Sequence, residues 1–405
     1  MKHAFTAIML SALLLCGCGA PAATSPAEDT AVNTPVSLPQ AESQTPTAPS
    51  EETPVEEPDP IDTLLASLTL AEKAGQLFFP RCPADSAVED IQTYHLGGYL
   101  LFGRDTKDSD GNWLTGEQFT ETLQSYQSAA MADTGIPLLI GSDEEGGTVT
   151  RVSRNPNLFD RKFLSPQALW DARHDHGNVF AEDAWEKSNA LLALGINVNL
   201  APVCDVSTDP HDFIYARTLG QDAETTAETV RSVVSAMQSA GIGSVLKHFP
   251  GYGNNVDTHT GIAVDIRPME AFASADLLPF AAGMEAGGGT TAVLVSHNIV
   301  ECFDADLPAS LSPVVHRYLR EEMGFEGVVM TDDLAMEAVS AYAGDGNVAV
   351  MALQAGNDLL ITTDYRTQIP AVISAVENGT LDEAIINNAC RRVLQWKAKL
   401  GLLAE

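Results

Sequence analysis

Basic residues are scarce in this sequence. Its 405 residues contain 22 Lys and Arg but 55 Asp and Glu, so the formal net charge at pH 7 is −33. Proteins that bind nucleic acid neutralise its phosphates with clustered Lys and Arg side chains. The deficit of basic residues therefore excludes nucleic acid as a partner.

Long apolar runs are also scarce. One covers residues 4–15, which suits the hydrophobic region of a signal peptide and is shorter than the ~20 residues that span a bilayer. We therefore expect an exported protein. The run ends in Leu-Cys-Gly-Cys, which resembles the lipobox of bacterial lipoproteins, so residues 1–17 are predicted to be a signal peptide and Cys18 the lipidated residue. The alternative is an ordinary secretory signal cleaved near Ala20 or Ala23.

Between residues 18 and 60 basic residues are missing and large apolar residues are almost absent. Pro, Thr, Ser, Ala and Glu dominate this stretch. Such a composition buries too little surface to offset its ordering entropy, and prolines and like charges keep it extended. We predict a disordered tether, with an extracytoplasmic folded domain over residues 61–405 that meets the cell membrane only through the lipid anchor.

Cysteine is rare as well. Once Cys16 is removed with the signal peptide and Cys18 carries the lipid, the remaining cysteines are widely spaced and form no Cys-x-x-Cys pair. That spacing disfavours a zinc site, and we predict no metal. Outside the cell, disulfides are possible but not required. The cysteines concerned are Cys82, Cys204, Cys302 and Cys390.

The rest of the chain alternates short apolar runs with longer amphipathic stretches. This alternation predicts repeated βα units with a parallel sheet, and eight such units close into a single (β/α)₈ barrel of the TIM type. Length alone would allow two to three domains, but one α/β barrel accounts for the whole pattern. The eight runs cover residues 76–79, 98–102, 137–140, 196–200, 243–246, 291–295, 327–330 and 358–361.

Helix signals lie between these runs. Ser312 before Pro313 is typical of an N-cap followed by proline at the first helical position, and Gly324 is expected to end that helix. Apolar residues between Ala223 and Met237 recur at helical spacing, which predicts one buried face. Both helices therefore fit the repeated βα pattern.

Unusual polar residues directly follow four of the predicted strands. Asp143 comes after the third, Lys247 and His248 after the fifth, His297 after the sixth and Asp332 after the seventh. The carboxyl ends of the strands form the active-site face of such barrels, so we expect these segments to converge on one pocket. Charged groups suit a ligand rich in hydroxyls, and two carboxylates, or one carboxylate and an acid, can cleave a glycosidic bond.

Each of these residues also has a structural interpretation. Asp332 or Asp333 would serve as the N-cap of a following helix, and Lys247 with His248 would close a strand. Their joint placement on one barrel face favours the functional interpretation.

Four sequence blocks resemble the signatures of glycoside hydrolase family 3, in its bacterial β-N-acetylhexosaminidase (β-N-acetylglucosaminidase) branch. The resemblance runs in order from about Ile61 to Leu403. The Lys-His-Phe-Pro-Gly block followed closely by Asp-x-His is highly specific. The blocks are Asp143-Glu-Glu145-Gly-Gly147, Lys247-His-Phe-Pro-Gly251, Asp257-Thr-His259 and Gly327-Val-Val-Met-Thr-Asp332-Asp-Leu334.

The resemblance implies a retaining mechanism without a cofactor. Asp332 matches the family nucleophile that forms a covalent glycosyl-enzyme, and Asp333 is then the helix cap. His259 matches the acid/base of this branch, with Asp257 orienting its imidazole. Imidazole titrates near neutral pH, which suits proton transfer. A neutral base would also repel an anionic acceptor less than a carboxylate does, so phosphate in place of water is a further hypothesis.

The resemblance also implies a set of sugar-binding residues, with three departures from the family pattern. Glu144 stands where Gln is usual, Thr148 where Arg is common and Tyr252 where His is frequent. Tyr252 lies at the base of the predicted acid/base loop, where a change would affect the mobility of the loop or the enzyme's preference among leaving groups. The matched sugar-binding residues are Asp143, Arg151, Arg217, Lys247 and His248.

Together these features predict a monomeric, surface-tethered enzyme. It would release terminal β-linked N-acetylglucosamine from peptidoglycan fragments (muropeptides) or chitin-like oligosaccharides. One alternative is a β-glucosidase or β-xylosidase of the same family, which the Asp257 and His259 block disfavours. The other is a non-catalytic sugar-binding lipoprotein, which would have no need of a nucleophile and a His-Asp pair.

Overall fold

The computed structural model describes most of the chain after residue 58. The predicted signal peptide, Cys18 and the tether lie outside the described residues, and so do Asp257 and His259. The described residues are 59–172, 178–255, 262–336, 339, 342 and 347–403.

A curled parallel sheet forms the centre of the fold. Six strands are hydrogen-bonded side by side in the order β1-β2-β5-β6-β8-β10, and two further pairs, β3 with β4 and β7 with β9, lie outside that sheet. The strands are β1 (Gly98–Leu101), β2 (Leu139–Ser142), β3 (Glu144–Gly146), β4 (Val149–Thr150), β5 (Val198–Asn199), β6 (Gly243–Phe249), β7 (Val264–Asp265), β8 (Thr291–Val295), β9 (Ile299–Val300) and β10 (Val329–Thr331).

Single parallel bridges complete the ring between the two edge strands. Arg81 pairs with Leu100 of β1, and Met330 of β10 pairs with Leu359. Phe78 pairs with Leu360, which joins the two ends of the sheet. The eight predicted apolar runs therefore occupy the eight positions around a TIM-like barrel.

Helices follow the strands and cover the outside of the ring. Two of them continue directly into short π-helical turns, Phe272–Asp276 and Tyr318–Glu322. The helices are Pro60–Ser67, Leu70–Gln76, Ala87–Tyr94, Gly116–Asp133, Pro166–Ala172, Val179–Ala193, Ala223–Ala240, Met269–Ala271, Leu277–Ala286, Pro313–Arg317, Val348–Ala355, Tyr365–Glu377 and Glu383–Lys399.

The helix signals found in the sequence are confirmed. The Ser312 hydroxyl accepts from the backbone N–H groups of Val314 and Val315, and Pro313 takes the first helical position. Gly324, with a φ of 66°, follows the end of the π-turn. In the Ala223–Ala240 helix, Val230, Val234 and Met237 are buried, as their spacing predicts.

The cysteines of the barrel carry free thiols. Cys82, Cys204 and Cys390 are buried and Cys302 is partly buried. Burial raises the pKa of Cys82 and of Cys390 to about 12, so both thiols stay protonated.

Among the described residues, no helix combines the length and the apolar character that a membrane span requires.

Lys397 is a fully buried amine at the C-terminal end of the last helix. Its Nζ donates to Gln76 Oε1 at 2.7 Å. Burial lowers its pKa from 10.5 to about 7, while the nearby Cys390 acts weakly in the opposite direction. Between those two values the unfolded chain binds the extra proton, so stability rises with pH above about 7.

We expect Lys397→Met to gain stability relative to the native chain as the pH falls. The variant loses the bond to Gln76 at every pH. It also removes the cost of deprotonating or burying the charged amine, which grows as the pH falls from 10.5 towards 7. The melting temperatures of both proteins are measured at about pH 6.5 and pH 9.5. Subtracting the native value from the variant value should give a result that is higher at pH 6.5 than at pH 9.5 by roughly 3 °C or more. The same difference in melting temperature at both pH values would contradict a lowered pKa of Lys397.

Candidate functional site

A cavity of about 280 Å³ opens at the carboxyl ends of the strands. It brings together every predicted site residue that lies within the described ranges. Asp143 and Asp332 directly follow β2 and β10, whereas Lys247 and His248 lie within β6 and not after it as the sequence predicted. Only the closed ring of strands places these residues side by side. Those residues are Asp143, Arg151, Arg217, Lys247, His248 and Asp332.

Lys247 is the centre of a buried charge cluster on one wall of the cavity. Its Nζ lies 2.7 Å from Asp143 Oδ1 and 2.6 Å from Glu145 Oε1. Arg217 also binds the Glu145 carboxylate, with its Nε 3.0 Å from Oε2 and its Nη2 2.7 Å from Oε1. Arg151 Nε lies 3.8 Å from Asp143 Oδ2. The wall therefore presents fixed cations and one carboxylate that can hold sugar hydroxyls.

Glu145 holds this cluster together, although no functional role was predicted for it. Its side chain is only 3% exposed. Burial opposes ionisation, but Lys247 and Arg217 outweigh it and hold the pKa of Glu145 well below its usual range. The carboxylate thus fixes the directions of two cationic side chains that line the cavity.

His248 is held between Asp205 and Arg217. Its Nδ1 lies 2.8 Å from Asp205 Oδ2, and its Nε2 lies 3.2 Å from Arg217 Nη2. Because a guanidinium only donates, Nε2 accepts and Nδ1–H donates to Asp205. Asp205 was missed in the sequence, where its place a few residues beyond the fourth run was the available signal.

Glu144 faces away from the cavity. Its Oε2 accepts from the backbone N–H groups of Arg151, Val152 and Ser153 at 3.0, 2.8 and 3.2 Å, and its Oε1 accepts from the Ser153 hydroxyl. Glu144 therefore fixes the backbone that carries Arg151. Its departure from the family pattern therefore affects this support, and Glu144 does not line the cavity.

The two glycines after Glu145 allow the chain to turn closely over its neighbours. Gly146 has a φ of 105°, and a Cβ there would lie 2.0 Å from the carbonyl oxygen of Leu164. Gly147 has a φ of 64° and lies against Ser165. Only glycine fits at both positions. The exposed Thr148 follows them, while Val149 lines the cavity.

Asp332 and Asp333 have different surroundings. Asp332 is partly exposed at the end of β10, and its Oδ1 accepts from the Asp333 N–H at 2.8 Å. The Asp333 carboxylate accepts from the Ala335 N–H at 2.9 Å, but residues 334–335 form a turn and no helix begins at Leu334 among the described residues, so the predicted helix cap is not confirmed. Burial, with the charge of Asp332 added, raises the pKa of Asp333. His297 is fully buried and donates from Nε2 to the Asp333 carbonyl oxygen at 3.1 Å, so it supports this turn.

Tyr252 is buried beneath His248 rather than exposed to the cavity. The two rings meet edge to face with centroids 5.3 Å apart, and the Tyr252 N–H donates to Asp205 Oδ1 at 2.7 Å.

Arg81, stacked on Phe102 at 4.2 Å, is another lining residue that the sequence did not reveal. Within the described ranges, no group of three or more His, Cys, Asp or Glu side chains is arranged to hold a metal ion.

Carboxylates set among Arg, Lys and His at the active-site face of a barrel are the groups that a glycosidase uses to hold a sugar and cleave its bond. Residues 69–396 match the glycosyl hydrolase family 3 N-terminal domain. The chain belongs to glycosyl hydrolase family 3.

Relatives within this family are similar over most of the chain. A beta-hexosaminidase of Xylella fastidiosa (strain M12) is 31% identical over 326 residues, which is 78% of this chain and 90% of that protein. The solved beta-N-acetylhexosaminidase of Beutenbergia cavernae is 30% identical with a TM-score of 0.68, and covers 82% of this chain and 99% of its own.

A longer relative has a similar fold. The solved family 3 beta-N-acetylglucosaminidase of Paenibacillus sp. FPU-7 is 31% identical with a TM-score of 0.74 over 84% of this chain. This chain spans 64% of the length of that protein.

Proposed function

We propose that this glycosidase releases terminal β-linked N-acetylglucosamine, or a related N-acetylhexosamine, from the ends of oligosaccharides such as muropeptides or chitin fragments. The observation that carries this proposal is the shared cavity, in which Asp332 faces the charge cluster of Lys247, Asp143 and Arg151. The names of the relatives support the choice of sugar.

The proposed reaction retains the anomeric configuration in two displacements. A carboxylate oxygen of Asp332 attacks the anomeric carbon while the leaving oxygen takes a proton, which gives a covalent glycosyl ester. Water then displaces Asp332 and loses its proton to the group that acted as the acid. We assign that group to His259, oriented by Asp257, on the family motif. No cofactor enters either step.

We also propose that the enzyme works outside the cytoplasm, as a monomer bound to the membrane through a lipid on Cys18. The apolar run over residues 4–15, the Leu-Cys-Gly-Cys sequence and the stretch rich in Pro, Thr, Ser and Glu that follows support this location. Metabolic labelling with a fatty-acid analogue should label the native protein and leave Cys18→Ser unlabelled. Labelling of both proteins would contradict the anchor.

Two chromogenic substrates separate the candidate functions. The native enzyme should hydrolyse an aryl β-N-acetylglucosaminide at least about tenfold faster, by kcat/KM, than the matching β-glucoside, since a pocket that binds the acetamido group through hydrogen bonds strongly disfavours a sugar without it. The reverse preference would indicate a β-glucosidase. Binding of the sugar without turnover of either substrate would indicate a non-catalytic receptor.

The acceptor is tested by product analysis. Reaction of the native enzyme in phosphate buffer yields free N-acetylglucosamine if water is the acceptor, and N-acetylglucosamine 1-phosphate if phosphate competes. The complete absence of the sugar phosphate removes the phosphorolysis hypothesis.

A further inference from the structure

Arg81 lines the same cavity as Asp332 but takes no part in its charge cluster. The guanidinium is stacked on Phe102, with its Cζ 4.2 Å from the ring centroid. Its Nε is buried and has no hydrogen-bond partner among the described residues. The other cations of the wall each lie 2.6 to 3.8 Å from a carboxylate oxygen; they are Arg151, Arg217 and Lys247. Within the described part of the chain, Arg81 has no such pair.

The place of Arg81 in the barrel matches that of the other site residues. Of the eight strand positions in chain order, Asp143 follows the third, Lys247 lies in the fifth and Asp332 follows the seventh. Arg81 ends the first position, where it pairs with Leu100 of β1. In a (β/α)₈ barrel, alternate strands contribute the side chains of one layer. These four residues therefore line the cavity from four sides.

This arrangement determines how the walls would face a sugar ring. With its anomeric carbon at Asp332, a pyranose extends towards Asp143 on the opposite side, because C1 and C4 lie at opposite ends of the ring. One edge of the ring carries C2 and C3, and the other carries the ring oxygen and the hydroxymethyl group. Arg81 and Lys247 therefore each face one of these edges.

The wall around Arg81 suits the edge that carries an acetamido group at C2. A guanidinium only donates hydrogen bonds, and a carbonyl oxygen only accepts them. Leu100, which pairs with Arg81, and Phe102, on which Arg81 is stacked, supply apolar surface for the methyl group. The wall around Lys247 combines a cation with carboxylates, so it suits hydroxyl groups, which both donate and accept.

The charges of the cavity favour an uncharged group at Arg81. Four cations and four carboxylates line the wall; they are Arg81, Arg151, Arg217 and Lys247 against Asp143, Glu145, Asp332 and Asp333. Arg81 lies close enough to Asp333 for its positive charge to oppose the rise in the pKa of that carboxyl. An anionic substituent beside Arg81 would therefore be repelled by Asp332 and Asp333, whereas a carbonyl oxygen keeps the charges balanced.

We propose that Arg81 donates hydrogen bonds to the carbonyl oxygen of the 2-acetamido group and thereby determines the preference for an N-acetylhexosamine over a hexose. The inference rests on the proposed function, in which the anomeric carbon of that sugar lies at Asp332. Loss of a hydrogen bond to a charged group is worth about 10- to 100-fold in kcat/KM.

The test compares two chromogenic substrates that differ only at C2, an aryl β-N-acetylglucosaminide and the matching β-glucoside. Arg81→Met keeps apolar packing on Phe102 but removes every donor. It should lower kcat/KM for the N-acetylglucosaminide by about 10- to 100-fold and affect the β-glucoside little, so the ratio of the two values should fall by at least about tenfold. A smaller change in the ratio, whatever the loss on each substrate, would overturn the proposal.

Binding gives a second measure that does not depend on turnover. Calorimetry on the native protein and on Arg81→Met compares the aryl 1-thio-β-N-acetylglucosaminide with the aryl 1-thio-β-glucoside, which resist hydrolysis. Arg81→Met should weaken the dissociation constant of the first by at least about tenfold relative to the second. Equal weakening of both compounds would contradict a contact with the acetamido group.

Arg81→Lys keeps a positive charge beside Asp332 and Asp333 but not the planar fork. It should therefore recover only part of the native ratio of kcat/KM values. If melting curves show that Arg81→Met does not fold, Arg81→Lys decides: a ratio lowered by about threefold or more supports the proposal, and a smaller change overturns it.

Arg151→Met is the matched control. Arg151 is stacked on the same Phe102 ring, with its Cζ 5.3 Å from the centroid, but it pairs with Asp143. In the proposed function it holds a hydroxyl group that both sugars share, so Arg151→Met should lower kcat/KM for both substrates by a similar factor. A fall in the ratio as large as that of Arg81→Met would trace the effect to the disturbed Phe102 ring and would overturn the proposal.

The native enzyme separates failure of the inference from failure of the proposed function. If it hydrolyses the β-glucoside as fast as the N-acetylglucosaminide, the proposed choice of sugar is itself wrong. If it prefers the N-acetylglucosaminide and Arg81→Met retains that preference, only the inference is wrong.

Discussion

Asp332→Ala is expected to lower kcat/KM for an aryl β-N-acetylglucosaminide by about 10⁴-fold or more, because it removes the group that would bond to the anomeric carbon. Asp332 lies in the cavity with Lys247 and Arg217, and the Asp333 N–H fixes one of its oxygens at 2.8 Å. A positioned carboxylate of this kind can attack without further reorganisation. Steady-state kinetics on the purified variant measure the loss.

Azide distinguishes loss of a nucleophile from loss of structure. In Asp332→Ala, azide can occupy the space of the carboxylate and displace the leaving group directly. A single displacement inverts a β-glycoside, so the product would be the α-glycosyl azide. Formation of the β-azide, or no rescue at all in a folded variant, would contradict the role of Asp332 as nucleophile.

The neighbouring carboxylate provides the control for this experiment. Asp333 accepts from the Ala335 N–H, and asparagine can accept in the same way. Asp333→Asn should therefore keep kcat/KM within about tenfold of the native value. A larger loss for Asp333→Asn than for Asp332→Ala would reverse the assignment of the two residues.

Glu145→Gln is expected to produce the largest loss of stability, together with a loss of sugar binding. The substitution keeps the shape of the side chain but leaves Arg217 without its carboxylate and Lys247 with Asp143 alone. Removing one partner of a buried ion pair costs about 3 kcal/mol or more in the free energy of unfolding. The two cations would also lose their fixed directions, so kcat/KM should fall by about 10²-fold.

The effect of Glu145→Gln depends on pH in a definite direction. The pKa of Glu145 is well below its usual range in the folded protein, so the unfolded chain binds the proton first as the pH falls. The stabilisation is fully present above about pH 4.3 and is lost in stronger acid. The melting temperatures of native and variant protein should therefore differ most near neutral pH and begin to converge below about pH 4.

A surface glutamate supplies the comparison. Glu186 pairs with Arg161 at 3.0 Å, and both side chains are about 60% exposed. Glu186→Gln should leave the melting temperature and kcat/KM nearly unchanged, since exposed pairs contribute about 0 to 1 kcal/mol. Equal melting temperatures for Glu145→Gln and Glu186→Gln would contradict a stabilising role of the buried cluster.

The sequence predicted the barrel well because its signals are local. The apolar runs are short and separated by helical patterns, and several intervening helices have a side-chain cap, as at Asp222 and Ser312. Parallel strands joined by helices leave few topologies, so the placement of polar residues after the strands also predicted where Asp143, Lys247 and Asp332 meet.

The partners of those polar residues could not be predicted in the same way. Arg217 lies 72 residues from Glu145, and His248 lies 43 residues from Asp205. Nothing in the spacing of the sequence relates such residues, because their contact depends on how neighbouring strands line up in the ring. Asp205 and Glu145 were accordingly missed.

The sequence by itself determined the class of chemistry: a barrel whose active-site face carries carboxylates, Arg, Lys and His. Only the tertiary structure decided which of two adjacent glutamates serves the site. Successive side chains of a strand point to opposite faces, so in β3 Glu144 turns to the backbone amides behind Arg151 while Glu145 turns to Lys247 and Arg217. That choice depends on what lies on each side of the strand, and folding alone brings those neighbours there.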